Sequence, residues 1–474
     1  MSTEARMLID GEWQTSANKA PVRNPYTGAV VSEMPMADSA QVERALQAAY
    51  EVAAEMRSMP AYRRAAILRR AADLVEQRGE ELARLITEET GKTLRGSRVE
   101  VDRSLLTLRM CAEEAVRIAG EQIPLDLVPG SEKRLGFTIR EPIGVVAAIT
   151  PFNAPFNLIC HKVGPAIAAG NATIVKPAPQ APRTGQFLGE VLLEAGLPPA
   201  AINIVYGGVD VGLQIVKDDR VALIAFTGSA RAGLAIRDAC GFKKLILELG
   251  SNAGVYVHAD ARLDKAVPEL VKGAFFTTGQ ACISTQRIYV HESIFAPFTE
   301  AFVQETARLR VGDPTDPSTD VGPVIDEAAA RRIEQWIQEA VQQGARVLCG
   351  GTRQGALVQP TVLTDVAPAM KVVCEEVFGP LVSLLPVSSP EEALRQINDT
   401  PYGLQAGVFT QDIDLAFRAA RQLRVGGVMV NDSSRYRIDT MPFGGVKLSG
   451  IGREGPRFSV EQMTETKLII LNLD

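Results

Sequence analysis

Apolar positions along this chain follow two rhythms, and the change between them divides it. Near the start, Leu8-Ile9-Asp10-Gly11-Glu12-Trp13 carries the Asp-Gly signal of a β-hairpin, and Asn24-Pro25-Tyr26-Thr27-Gly28 marks a second turn. From Asp38 to about Gly120 the period becomes helical. Ala65, Leu68, Leu74, Leu82, Leu85 and Ile86 recur at that spacing with charges between them, and Ser39 is the expected cap of the first helix. Such amphipathic helices suit the outside of a sheet. Pro124, Pro129 and Gly130 then interrupt any helix, and Arg134-Leu135-Gly136-Phe137-Thr138-Ile139-Arg140 reads as an exposed strand, a candidate for subunit contact.

Strict alternation follows. Expected strands at 145–149, 172–176, 202–205, 223–226 and 245–247 are separated by helical stretches, which predicts βαβ units and a mostly parallel sheet covered on both faces. Ligands of such sheets sit beyond the carboxyl ends of the strands. There the sequence places Asn153, Lys176-Pro177, Gly207-Gly208, Thr227-Gly228-Ser229 and Glu248-Leu249-Gly250. After residue 250 a second α/β pattern begins: a strand at 253–257, a helix at 263–276, a strand at 287–291, helices at 295–309 and 326–343, and strands near 346, 382 and 408. The chain ends in Lys467-Leu468-Ile469-Ile470-Leu471, expected as an edge or inter-subunit strand.

Composition narrows the function classes. The 474 residues, 46% hydrophobic and 22% charged, suit a globular protein of two to four units. A net charge of −6 gives no electrostatic footprint for nucleic acid. No apolar run approaches the length of a membrane span, and the first residues lack the pattern of a signal peptide. Six cysteines without close pairing and only three histidines argue against a disulfide framework and a metal centre, and fit a reducing cytoplasm.

Candidate chemistry gathers at a few points. Cys282 follows Gly279-Gln280-Ala281, where glycine permits a tight turn and a close ligand; the alternative is a buried cysteine acting as a small hydrophobe. Glu248 ends an apolar strand and is either a desolvated general base or a surface carboxylate. Asn153 is an oxyanion donor or a turn residue. Thr227, Gly228, Ser229 and Gly233 lie at a strand-to-helix turn suited to phosphate, without the usual G-x-G-x-x-G fingerprint. Lys176 is a cation for ribose or phosphate, or a solvated strand end.

Taken together, Pro151-Phe152-Asn153, Lys176-Pro177-Ala178, Phe226-Thr227-Gly228-Ser229, Glu248-Leu249-Gly250, Gly279-Gln280-Ala281-Cys282, Glu375-Glu376-Val377-Phe378-Gly379-Pro380 and Pro442-Phe443-Gly444-Gly445 resemble the NAD(P)-dependent aldehyde dehydrogenase superfamily over nearly the whole chain. The resemblance implies an α/β fold with a Rossmann-like cofactor domain (1–119 and 141–249), an α/β catalytic domain (250–442) and a small β element for oligomerisation (120–140 and 443–474). It implies a homodimer or homotetramer. Cys282 matches the nucleophile, Asn153 the oxyanion-hole amide and Glu248 the base that hydrolyses the thioester. Lys176 and Glu376 match ribose-binding residues, Phe378 a residue beside the nicotinamide, and Gly228 and Ser229 residues at the pyrophosphate. Pro179 stands where many NAD-linked members carry a ribose-chelating glutamate, so the resemblance leaves NAD and NADP both open.

The implied activity is oxidation of a small aliphatic aldehyde to its acid. The chain is similar to members acting on lactaldehyde, succinate semialdehyde and phosphonoacetaldehyde. For an anionic substrate the candidate contacts are Arg109, His161, Arg435 and Arg437, because a guanidinium can grip carboxylate or phosphonate at two points. Ala281, standing where such enzymes often carry arginine, weighs the other way. A CoA-acylating enzyme and a catalytically silent relative are the alternatives, and Glu248 argues against both.

Overall fold

The computed structural model describes residues 4–473. Its largest sheet has eight strands, in the order Glu12–Gln14, Met7–Ile9, Ile202–Ile204, Ala172–Lys176, Val145–Ile149, Val221–Thr227, Lys244–Glu248 and Gly450–Ile451. The five central strands are parallel, and each outer neighbour joins antiparallel. Val145–Ile149, first of the five in the chain, lies in the middle, so the connections leave it in opposite directions. That makes a switch point between the carboxyl ends of Val145–Ile149 and Val221–Thr227, where a crevice opens.

Local sequence explains the elements. The helix Ser39–Ser58 starts not at Ser39 but behind Asp38, whose carboxylate accepts the Gln41 N–H at 2.7 Å while the Gln41 side chain accepts the Asp38 N–H at 3.1 Å. This reciprocal box satisfies two donors that the first turn leaves open; Ser39 is simply the first helical residue. The helix Pro155–Ala169 begins on a proline, whose missing N–H costs nothing there, and every one of its residues is buried. Its first turn is also held by Glu100, which accepts the N–H groups of Phe156 and Asn157 at 2.9 and 3.2 Å.

A seven-stranded sheet forms the second body of the fold, in the order Arg346–Cys349, Thr361–Thr364, Leu381–Val387, Arg287–His291, Gly254–Val257, Gln405–Phe409 and Gly427–Val430. All its pairs are parallel except the first. Thr361–Thr364 and Gly427–Val430, four residues each, are strands that the sequence pattern does not mark.

A third sheet pairs Thr464–Asn472 with Arg134–Pro142 over nine residues, and Gln122–Ile123 closes its other side. The stretch 443–462, expected with this small element, lies elsewhere. Gly450–Ile451 joins the large sheet beside Lys244–Glu248, and Pro456–Gln462 packs on the helix Pro155–Ala169. Among the described residues, no helix is long and apolar enough to cross a membrane.

Replacing Asp38 with Ala removes the box and is expected to cost about 1 kcal/mol of stability, read as a lower urea midpoint at unchanged slope.

Candidate active site

At the switch point a cavity of about 470 Å³ opens, bordered by Asn153, Glu248, Cys282, Glu376, Phe378 and Arg435 among others. These residues come from both large sheets and from the loops between them. Sequence separation exceeds 280 residues between the first and the last, so only the fold brings them together.

Cys282 sits just beyond a distorted turn. After the helix Leu263–Phe275, Thr277 and Thr278 take left-handed backbone angles, φ 57° and 56°, and Gly279 follows at φ 66°. Left-handed conformation costs a residue with a Cβ roughly 1–2 kcal/mol, and threonine, branched at Cβ, is poorly suited to it. Surrounding contacts hold the turn. Thr277 Oγ1 accepts from Arg435 Nη2 at 2.9 Å, and Thr278 Oγ1 donates to Gly322 O at 3.2 Å. At Gly279 a Cβ would lie 2.1 Å from the Gly379 carbonyl oxygen, so no other residue fits there. Gln280 Oε1 accepts the Ile325 N–H at 2.9 Å, and Gln280 O accepts from Asn153 Nδ2 at 2.9 Å. Asn153 is thereby oriented beside the nucleophile loop while keeping a second amide N–H for another acceptor.

Glu248 ends its strand facing the cavity, and neither carboxylate oxygen has a hydrogen-bond partner among the described residues. Burial pushes its pKa well above the ordinary carboxylate value, and the charge of Glu454 adds to the rise; Arg437, Lys162 and Arg453 oppose it. Gly444 gives it room, since a Cβ there would lie 2.8 Å from Glu248 Oε1. Glu454 keeps its charge through Lys162, fully buried, whose Nζ donates to Glu454 at 2.5 Å and to Thr227 Oγ1 at 2.6 Å. Burial also pushes the Cys282 thiol up to about 12, with Arg437 pulling the other way. Cys282 is therefore held as a thiol, and the carboxyl of Glu248 borders the same cavity.

The candidate cofactor residues divide. Glu376 accepts the Ser251 N–H at 2.9 Å, and burial raises its carboxyl to about 7. Phe378, at φ 49°, meets Phe152 edge-on with ring centroids 5.9 Å apart. Ser229 caps the helix Ala230–Ala239, whose first N–H groups have no intrahelical acceptor and so offer an anion site. Lys176 is nearly buried, desolvation lowers its pKa, and its ammonium has no protein hydrogen-bond partner among the described residues. These features fit a dinucleotide's riboses and phosphates. Gly233 is also closely packed: a Cβ there would lie 2.5 Å from Leu249 Cδ2. Pro179 borders a separate hollow shared with Gln180 and Asp326.

The four candidate substrate contacts also divide. Arg109 pairs with Glu76 at 2.7 Å on the exposed face of its helix and does not border the cavity. It lies on the wrong side of its helix. His161 is fully buried behind the cavity wall, with Nε2 2.8 Å from Asp439 Oδ1, and burial lowers its pKa. Arg437 borders the cavity but its charge is engaged, 3.5 Å from Glu454 and 3.9 Å from Asp439, with its guanidinium 3.6 Å from the centre of the Phe443 ring. Arg435 differs. It borders the cavity, stacks on Phe276 at 4.4 Å, and has no carboxylate within ion-pairing distance among the described residues. Burial lowers its pKa to about 10, which leaves it charged at neutral pH.

The sequence reading missed Arg103, which borders the cavity and grips Asp439 with two bonds of 2.9 and 2.6 Å. It missed the buried pair Lys92–Glu100 and the pair Lys162–Glu454 as well. One signal was available. His161 and Lys162 interrupt an otherwise apolar helix, and a charge at such a position requires a buried partner.

Comparison with known proteins accounts for this arrangement. The model of the aldehyde dehydrogenase family matches residues 13–469. The chain is 46% identical over 468 residues to the 3-sulfolactaldehyde dehydrogenase of Priestia megaterium, covering 98% of each. Its structure is similar to that of aldehyde dehydrogenase 21 from Physcomitrella patens in complex with the reaction product succinate, with a TM-score of 0.97, 38% identity and coverage of 100% and 99% of the two chains. NADP-dependent glyceraldehyde-3-phosphate dehydrogenase from Bacillus halodurans, complexed with NADP, also superposes with a TM-score of 0.97 at 36% identity, over 99% and 100% of the chains. The chain belongs to the aldehyde dehydrogenase family.

Proposed function

We propose that this enzyme oxidises short aldehydes bearing an acid group to the corresponding carboxylic acids, with Cys282 as nucleophile, Asn153 as oxyanion donor and Glu248 as base. As a member of its family it is an oxidoreductase acting on small aldehydes with NAD(P). The observation that carries the residue roles is the shared cavity, in which a thiol, an amide donor and an unpartnered buried carboxyl meet.

Cys282 Sγ adds to the aldehyde carbon, and its proton passes to Glu248. The Asn153 amide donates to the oxygen that gains charge, which lowers the barrier because the donor is already fixed by Gln280. When bound, NAD(P)+ supplies the acceptor for the hydride that leaves this carbon, and a thioester remains on Cys282. Lys176, Glu376 and the helix start at Ser229 are the residues suited to hold it. Glu248, its proton released, then takes a proton from water as that water attacks the thioester, and the acid departs.

Arg435 supports the acid-bearing substrate. A buried guanidinium without a carboxylate leaves positive charge in the cavity wall, and a substrate anion would complete the pair. The relatives named for sulfolactaldehyde, succinate and glyceraldehyde 3-phosphate act on or hold compounds with sulfonate, carboxylate or phosphate groups. NAD and NADP both remain suitable cofactors, because Pro179 brings no carboxylate to repel a 2′-phosphate.

The same reading takes the enzyme to be a cytoplasmic homodimer or homotetramer. Its six cysteines are all free, which suits a reducing compartment. The strand Thr464–Asn472 lies at a sheet edge with Leu468, Ile470 and Leu471 exposed, an arrangement suited to a second copy.

Two measurements test the residue roles. Because Glu248 acts as a base only when ionised, and its pKa is raised, hydrolysis-limited turnover is expected to rise with pH above the ordinary carboxylate range. Glu454→Gln removes a charge that raises that pKa and leaves the Lys162 cation uncompensated, so the rising limb should move to lower pH; a limb that stays in place would exclude this electrostatic account. For the substrate, Arg435→Gln is expected to raise KM for succinate semialdehyde roughly tenfold more than for butyraldehyde, the worth of a charge-assisted hydrogen bond. Equal changes for both aldehydes would remove the acid group from the proposal, with Arg109→Ala as the exposed control.

A further inference from the structure

We infer that Thr277 is a positioning residue that couples the substrate's acid group to the nucleophile loop, through its hydrogen bond to Arg435. The inference rests on the reading that Arg435 holds that acid group. Three observations carry it. Arg435 Nη2 donates to Thr277 Oγ1 at 2.9 Å, and this hydroxyl is the only hydrogen-bond partner of the guanidinium among the described residues. Thr277 and Thr278 both occupy the left-handed region, φ 57° and 56°, in the turn that leads through Gly279 and Gln280 to Cys282. Arg435 Nε, finally, is buried with no hydrogen-bond partner, so the guanidinium retains unused donors where the cavity meets the turn.

Strained backbone at a functional site persists only where its surroundings fix it. Here the Thr277 carbonyl accepts the Gln280 N–H at 3.0 Å, and its hydroxyl is held by a long side chain, stacked on Phe276 and otherwise unanchored at its head. An acid group seated on the remaining guanidinium donors immobilises that head and, through Nη2, the Thr277 hydroxyl and the turn behind Cys282. A neutral aldehyde leaves the head free and the turn less firmly set. Discrimination in favour of acidic aldehydes therefore enters the chemical step as well as binding.

The test compares wild type with Thr277→Val, which keeps the branched shape and deletes the hydroxyl, and Thr277→Ser, which restores it. Succinate semialdehyde and butyraldehyde, with four carbons each, are the paired substrates. The readout is the single-turnover rate of NAD(P)H formation at saturating aldehyde, with KM taken separately. Thr277→Val is expected to lower the rate for succinate semialdehyde about tenfold more than for butyraldehyde, the scale expected of a misplaced reacting group, with KM for the acid held within about twofold. Thr277→Ser should recover most of the loss. Equal losses for both aldehydes, no loss for either, or a selective rise in KM without a selective fall in rate would each overturn the coupling. The Arg435→Gln comparison separates the two levels. A selective KM effect there with unselective Thr277→Val kinetics removes the coupling alone, whereas an unselective Arg435→Gln removes the acid-group reading beneath it.

Discussion

Buried charge is the constraint on which the site depends. Glu248 and Glu454 are both buried at the cavity wall and face each other's fields, and the two carboxylates cannot both be charged cheaply there. The protein resolves this unequally. Glu454 receives Lys162 and is held below its ordinary pKa, while Glu248 receives no hydrogen bond and is held above it. Pushing two titratable groups apart in this way leaves one as fixed charge and the other suited to the proton transfer proposed for it. Removing either member of the Lys162–Glu454 pair leaves the other buried and unbalanced.

Around that pair, charge is arranged almost to completion. Lys92 meets Glu100, Arg103 meets Asp439, and Arg437 lies between Glu454 and Asp439. His161 and Asn157 add hydrogen bonds to the same Asp439, so these groups brace the wall and have little capacity left for a ligand. Arg435, by contrast, meets the Thr277 hydroxyl and the Phe276 ring and has no acid in an ion pair with it among the described residues. A cation without an acid is what sets Arg435 apart from Arg103 and Arg437, which look the same in the sequence.

Much of the fold was legible because its signals are local. Four of the five parallel strands have five to seven residues, mostly apolar, and Asn153, Lys176, Thr227 and Glu248 stand in plain view at or just past their ends. The resemblance located Cys282, Glu248 and Asn153, and the fold brings all three to one cavity. What escaped depends on pairing across distance. Whether Arg109 or Arg435 reaches the cavity is decided by which face of an element points inward. Arg103 and Asp439, 336 positions apart, look like ordinary surface charges until the fold joins them. Gly233 adds a contact that no local pattern shows: it packs closely on Leu249 from the next strand's end.

The central claim is that Cys282 carries the acyl group and Glu248 releases it. Intact-mass and peptide mass spectrometry of Glu248→Gln, mixed with succinate semialdehyde and NAD(P)+, tests it directly. The account predicts one equivalent of NAD(P)H followed by an accumulating succinyl adduct confined to Cys282. Continued turnover without an adduct, or an adduct on another residue, would contradict it.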